Sequence, residues 1–213
     1  MKKKTKIIVS IAAVLIIAGG VGFAATRSAE VGYYERLGSY YRQANSSMST
    51  DVAAEYHGQK LMMEVLDYQR KMTGDETTSD YELARKLMGN YVLYEYAVNH
   101  GLEAEQERID ALIQSQRDIY ATEDGKKDFD DYCRGMGVTF DEYIENILAP
   151  QVPRIIARNK LREYFAEEFC NANGYEYDKK SLPFGAQEYV DAKLEQIIAD
   201  AQSEIIYYVP VTG

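Results

Sequence analysis

At 213 residues and a formal net charge of −10, the chain is long enough to bury a core of its own. Its acidic balance argues against nucleic-acid binding, which needs clustered Lys and Arg to replace condensed counterions. Two cysteines without a CxxC and two histidines far apart argue against zinc, and no other metal or cofactor motif is present.

Lys2, Lys3, Lys4 and Lys6 precede an uncharged run over residues 7–25, and Thr26-Arg27 follows. A basic stretch before an apolar run is an export signal whose lysines stay in the cytoplasm. Gly22-Phe23-Ala24 offers small residues for cleavage after Ala24, but the run is also about long enough to span a bilayer. Residues 1–26 therefore read as a cleaved signal peptide or a retained membrane anchor. No cysteine follows the run, so lipid attachment there is excluded. Either way the remainder is expected outside the cytoplasm, secreted or anchored by its N-terminal segment.

Residues 27–50 form a Tyr-rich segment and linker. Tyr33, Tyr34, Leu37, Tyr40, Tyr41 and Ala44 recur at helical spacing, weakened by Gly32 and Gly38, and 45–50 are polar. Residues 52–56 are extended and meet a turn at His57-Gly58. A helix over 60–72 follows and stops at Thr73-Gly74. Ser79-Asp80-Tyr81-Glu82 is a capping box opening a helix over 79–100, apolar most of the way round and closed by Gly101.

The helix over 103–120 carries one apolar stripe, including Ile109, Leu112 and Ile113. After a break at 122–125, a short helix over 127–136 places Phe129, Tyr132, Cys133 and Met136 on one face. Thr139-Phe140-Asp141-Glu142 is a second capping box, opening a long helix over 139–169 that Pro150 and Pro153 must kink or restart. A polar connection leads to a helix over 186–205 and a terminal strand candidate at 205–211, whose obvious partner is 52–56. The fold class is mainly α: a helical bundle with a kinked long helix and at most a short two-stranded β element. The expected core comprises Leu87, Tyr91, Tyr94, Val98, Ile109, Leu112, Ile113, Ile147 and Ile155.

Catalytic signals are missing. His57 and His100 both adjoin glycines at turns, where a His needs no catalytic role. Neighbouring carboxylates such as Asp130-Asp131 and Glu167-Glu168 point different ways on a helix and read as solvated faces. Cys133 and Cys170 can pair in an exported protein, yet Cys133 on an apolar stripe reads as a buried free thiol. What remains is nineteen tyrosines and seven methionines without a tryptophan, residues that offer broad, adaptable apolar contact. Tyr33, Tyr34, Tyr40, Tyr41, Met62, Met63 and Tyr68 are the candidate exposed patch for binding polypeptide.

Taken in order, several of these pieces resemble the N-terminal chaperone domain of the SurA and PrsA group of exported folding factors. The likeness covers roughly 52–169: the Tyr56-His57-Gly58 turn before a helix, the apolar helix ending Ala97-x-x-x-Gly101-Leu102, the acidic helix with Ile109 and Ile113, and the start Gly137-x-Thr139-x-x-Glu142-Tyr143. The sequence departs from the family at His57-Gly58, usually Asn-Gly, and at Glu103, usually Thr or Ser. Residues after Phe169 read as loop, helix and short strand, with no room for the prolyl isomerase domain that family members often carry. The resemblance implies that 51–213 is a helical chaperone domain with a C-terminal helix, binding unfolded or exported polypeptides through apolar contacts. It would work without cofactor or catalysis, and would touch the membrane only through an uncleaved N-terminal segment. The alternative is a non-catalytic cell-envelope scaffold or assembly protein that holds one specific partner.

Overall fold

A computed structural model describes residues 32–46 and 51–210. The segment read as signal or anchor, and residues 47–50 and 211–213, lie outside the described residues. The chain runs through α1 (Tyr33–Ser46), β1 (Val52–Tyr56), β2 (Gln59–Met62), α2 (Met63–Thr73), α3 (Asp80–Asn99), α4 (Gln106–Tyr120) and α5 (Glu123–Met136). Then come α6 (Phe140–Glu142), running on as a π-helical turn (Tyr143–Leu148), α7 (Val152–Asn173), α8 (Ala186–Asp200), a 3-10 turn (Gln202–Glu204) and β3 (Ile206–Tyr207). The fold is mainly α, as expected.

Local signals account for most boundaries. At the start of α3 the Glu82 amide donates to Ser79 Oγ at 3.2 Å, and the Ser79 amide donates back to Glu82 Oε2 at 3.1 Å. Thr139 and Glu142 repeat this reciprocal pair at 3.2 and 2.8 Å. Gly101, at φ 72°, ends α3 and lets the Leu102 amide donate to the Ala97 carbonyl at 2.9 Å. The prolines interrupt the long helix where expected. The Ala149 amide reaches back to Ile144, and α7 restarts at Val152 with Pro153 in its first turn, where no amide donor is needed.

Several boundaries differ from expectation, among them the end of α8 at Asp200, and two have a local cause. Thr122 is not a breaker but the N-cap of α5, its Oγ1 accepting from the Gly125 amide at 3.0 Å, so that helix starts four residues early. Residues 59–62 form a strand instead of the start of a helix, and the sheet has three strands in the order β2-β1-β3. The cause is the turn: His57 at φ 45° and Gly58 at φ 79° give a two-residue hairpin of the kind that matches strand twist. β3 pairs antiparallel with β1, Ala54 opposite Tyr207 and Glu55 opposite Ile206.

Contacts divide the chain, expected as one domain over 51–213, into two compact units. The first takes the described residues up to Val52, then Met62–Thr78 and Glu105–Pro153. Its core is aromatic. Phe129, Tyr132 and Tyr143 are almost fully buried, Phe129 meeting Phe140 edge to face at 5.1 Å and Tyr132 meeting Tyr143 at 6.1 Å. Gly38, expected to weaken α1, is instead its contact point: a Cβ there would sit 2.1 Å from the Tyr132 carbonyl oxygen. Gly135 answers it from α5, where a Cβ would sit 2.0 Å from the Glu35 carbonyl oxygen. The two backbones touch because neither residue has a side chain.

The second unit takes Ala53–Leu61, Ser79–Ala104 and Arg154 onward, and holds the sheet apart from Val52 and Met62, α3, α8 and nearly all of α7. Its core is aliphatic and small: Ala97, Ala157, Leu161, Phe165, Ala166, Val190 and Leu194. Of the expected core, Leu87, Ile147 and Ile155 are buried. Ile109, Leu112 and Ile113 are only half-buried, since α4 has one fully buried side chain, Gln116. Tyr91, Tyr94 and Val98 are half-buried too, because that face of α3 borders a cleft.

Candidate functional site

The cleft lies within the second unit. Tyr91, Tyr94, Glu95 and Val98 line it from α3, at the i, i+3, i+4 and i+7 spacing that puts them on one helical face. Tyr56, His57 and Gln59 come from the β1–β2 hairpin and Arg154 from the start of α7. Its volume is about 160 Å³. That is well under the roughly 300 Å³ at which small-molecule and cofactor sites begin, and suits a single large side chain. The Arg154 guanidinium lies 5.1 Å from the centre of the Tyr91 ring and 5.7 Å from that of Tyr94, within cation–π range.

At one edge His57 is held from both sides. Its Nδ1 is 2.8 Å from Glu95 Oε1 on α3, and its Nε2 is 2.8 Å from Glu204 Oε2 in the 3-10 turn. The ring stacks on Tyr56 with centroids 4.1 Å apart. A carboxylate only accepts, so both contacts are hydrogen bonds only when both ring nitrogens carry protons. The bond to Glu95, then that to Glu204, raises the His57 pKa above its ordinary value. The Tyr56 hydroxyl donates to Glu95 Oε1 at 3.4 Å; burial, followed by the charges of Glu95 and Glu204, pushes it up to about 12.

The patch proposed from sequence falls in the first unit and is less exposed than expected. Tyr41 and Tyr68 are buried and meet edge to face at 6.2 Å, so they belong to the core. Burial raises the pKa of both hydroxyls, keeping them neutral. Tyr33 and Tyr34 are half-buried and pack on each other at 5.3 Å, while Tyr40 is half-buried with Lys71 over its ring. Met62 and Met63 are half-buried at the strand-to-helix junction. Tyr41 turns inward because α1 packs along α5 through Gly38, and Tyr68 is buried with Val65 and Leu66 on α2. The exposed large apolar side chains among the described residues belong instead to the second unit: Tyr164, Tyr175, Leu182, Phe184, Ile206 and Tyr208. Phe184, in the connection before α8, is 98% exposed.

Sequence reasoning missed His57 as a site residue, along with Glu95, Glu204 and Arg154. The Tyr56-His57-Gly58 turn was visible, but Glu204 lies 147 residues from His57 and nothing local joins them. His100 matches expectation: it closes α3, stacks on Tyr96, and its Nδ1 lies 2.7 Å from the Tyr96 carbonyl oxygen. Cys133 and Cys170 are buried free thiols, and burial pushes Cys133 up to about 12, so it is a thiol and not a nucleophilic thiolate. Among the described residues no group of three or more His, Cys, Asp or Glu is placed to hold a metal ion, and no helix is long and apolar enough to cross a membrane. Comparison with family models, curated proteins and solved structures finds no match.

Proposed function

We propose that the chain is an extracytoplasmic, non-catalytic polypeptide-binding protein of the chaperone type, which takes apolar side chains of unfolded or exported proteins. The observation that carries this reading is the cleft: aromatic walls from Tyr91 and Tyr94, a polar rim, and a volume of about 160 Å³ sized for one side chain. Aromatic faces accept varied apolar groups by contact area instead of by a fixed hydrogen-bond pattern. The exposed Tyr175, Leu182 and Phe184 of the same unit, in the connection that follows the far end of α7, offer separate apolar contact to a client. The cleft's lining contains no Ser, Thr or Cys to serve as nucleophile, and both nitrogens of its His are engaged by carboxylates, which supports binding over catalysis. The basic and apolar N-terminal pattern supports export.

The test is aggregation of several unrelated unfolded proteins, followed by light scattering with the chain at near-stoichiometric ratio and no ATP. Aggregation should slow by mass action, and Tyr91→Ser with Tyr94→Ser should weaken the effect while helical content is kept. Failure against every unrelated client, with tight stoichiometric binding of one envelope protein, makes the chain a scaffold. Peptide cis/trans isomerisation above a heat-inactivated control would overturn the non-catalytic reading.

A further inference from the structure

We propose that His57 is a proton-controlled latch at the mouth of the cleft, its imidazolium fastening the hairpin tip to α3 and to the 3-10 turn before β3. Three elements distant in sequence meet on one ring: the hairpin supplies His57, α3 supplies Glu95 38 residues away, and the C-terminal turn supplies Glu204 147 residues away. With two acceptors at 2.8 Å, the arrangement is complete only for the doubly protonated ring. A neutral imidazole has one N–H and one lone pair. Whichever nitrogen gives up its proton then faces a carboxylate oxygen lone pair to lone pair, and that contact must open.

Every group facing the ring bears on this balance. Tyr56 of β1 stacks on it, Gln59 of β2 lies beside it in the cleft, and Glu95 of α3 and Glu204 of the turn favour the cation. Arg154 of α7 lines the same cleft and is the one positive charge among the lining residues besides the imidazolium. The two hydrogen-bonded carboxylates set the balance against the cost of desolvating the ring, and the His57 pKa moves upward. The sign follows. A group with a raised folded pKa lends stability that is complete below its unfolded value of about 6.5 and is lost as pH rises through the folded pKa. The latch is therefore closed below about 6.5 and is released as pH rises through the higher pKa of the folded chain.

The turn supplies a clean variant. Asn-Gly is the preferred pair for a two-residue hairpin with positive φ at both positions, so His57→Asn keeps the hairpin and removes the titrating ring. Histidine NMR signals of the full chain, titrated across neutrality, should show His57 with a midpoint above about 6.5. His57→Asn identifies the signal by removing it, since the chain has only two histidines. Glu95→Gln and Glu204→Gln should each lower the midpoint. Amide exchange over residues 55–60 should quicken as pH passes the midpoint beyond the intrinsic rate, and this excess should vanish in His57→Asn. A midpoint at or below the unperturbed value, or one that Glu204→Gln leaves in place, overturns the latch.

That the latch gates polypeptide entry rests on the function proposed above, and the two fail differently. Client protection that changes across the midpoint in the native chain but not in His57→Asn supports gating, and protection indifferent to pH overturns it. A chain that protects no client at any pH overturns the proposed function, while the NMR titration still decides the latch.

Discussion

In the first unit Tyr132 and Tyr143 are buried and meet edge to face, whereas in the second Tyr91 and Tyr94 stand half-exposed beside Arg154. Each pair sits on helices with apolar residues at helical spacing, so the pattern alone does not separate them. What separates them is the neighbour. In the first unit Gly38 and Gly135 let α1 and α5 approach until backbone meets backbone, which seals the aromatic face. In the second, the elements around that face of α3 are a hairpin tip and the start of α7, which present His57, Gln59 and Arg154 and leave a cleft. Aromatic surplus becomes core where a small residue permits closure, and a wall where polar side chains hold the neighbours off.

The strongest way to break this comparison is to fill the glycine contact. Gly135→Ala would bring a Cβ to 2.0 Å from the Glu35 carbonyl oxygen, and Gly38→Ala to 2.1 Å from that of Tyr132. The obstacle is backbone, which no rotamer change can clear, so the helices must part. Overpacking commonly costs about 1–3 kcal/mol, and these sites should reach about 3 kcal/mol or more, read from urea unfolding. Gly89→Ala in the second unit is the control, because its Cβ would meet the Ile198 side chain and no backbone, with Cδ1 nearest at 2.8 Å. A smaller loss for Gly135→Ala than for Gly89→Ala would show that the α1–α5 contact does not close the aromatic core.

Next in size is truncation of the second unit's core. Leu161 is fully buried, and Leu161→Ala should cost about 2–5 kcal/mol. Ile113→Ala, on the half-buried face of α4, should cost less, about 1 kcal/mol. Equal losses would mean that the stripe on α4 is as deeply packed as its sequence periodicity suggests.

Periodicity and caps made most of the fold legible. The capping boxes at Ser79 and Thr139, the glycine stop at Gly101 and the proline interruption all sit where local chemistry requires them, because each acts within one or two helical turns. Depth was less legible. Ile113 and Tyr91 carry the same spacing signal as Leu87, yet only Leu87 is buried, since periodicity names a face and not what covers it. Residues 59–62 were hidden because the hairpin depends on His57 taking a positive φ, which that residue type tolerates without announcing. The candidate site was the least legible. Its residues come from a hairpin, two helices and a C-terminal turn, and only folding brings His57 and Glu204 together.

A smaller effect probes the caps. Thr139→Ala removes the acceptor for the Glu142 amide and the hydroxyl that donates to Glu142 Oε2, while the amide of residue 139 still donates to that carboxylate. N-cap losses of this kind run to about 1 kcal/mol, and Ser79→Ala should match it, so the two units are predicted to respond alike where the motif is the same. The Glu142 carboxyl is held below its ordinary pKa by the Thr139 amide, then the Thr139 hydroxyl. A group with a depressed folded pKa lends stability above its unfolded value and loses it as pH falls. Thr139→Ala removes the second of these causes and keeps the first, so the acid limb of the stability profile, read as urea midpoints against pH, should become shallower without disappearing.

The smallest expected effect concerns the charges that decorate both units. Arg85 on α3 meets Glu195 on α8 at 3.0 Å, and Arg134 on α5 meets Glu35 on α1 at 3.1 Å, beside the glycine contact. The geometry is good in both, yet the four side chains are between 37% and 63% exposed, so water and salt screen the attraction. Holding two long side chains in one place also costs rotamer freedom, and exposed pairs measured by double-mutant cycles give about 0.2–1 kcal/mol. A cycle over Arg85→Ala and Glu195→Ala should return a coupling in that range that shrinks further in high salt. The Arg134–Glu35 cycle should return no more, even though it bridges the two helices whose glycine contact is the most sensitive position in the first unit. A coupling there well above that of Arg85–Glu195 would mean that charge, and not the missing Cβ atoms, draws α1 onto α5. The contrast between a sealed aromatic core and an open aromatic cleft would then have to be rebuilt on electrostatics.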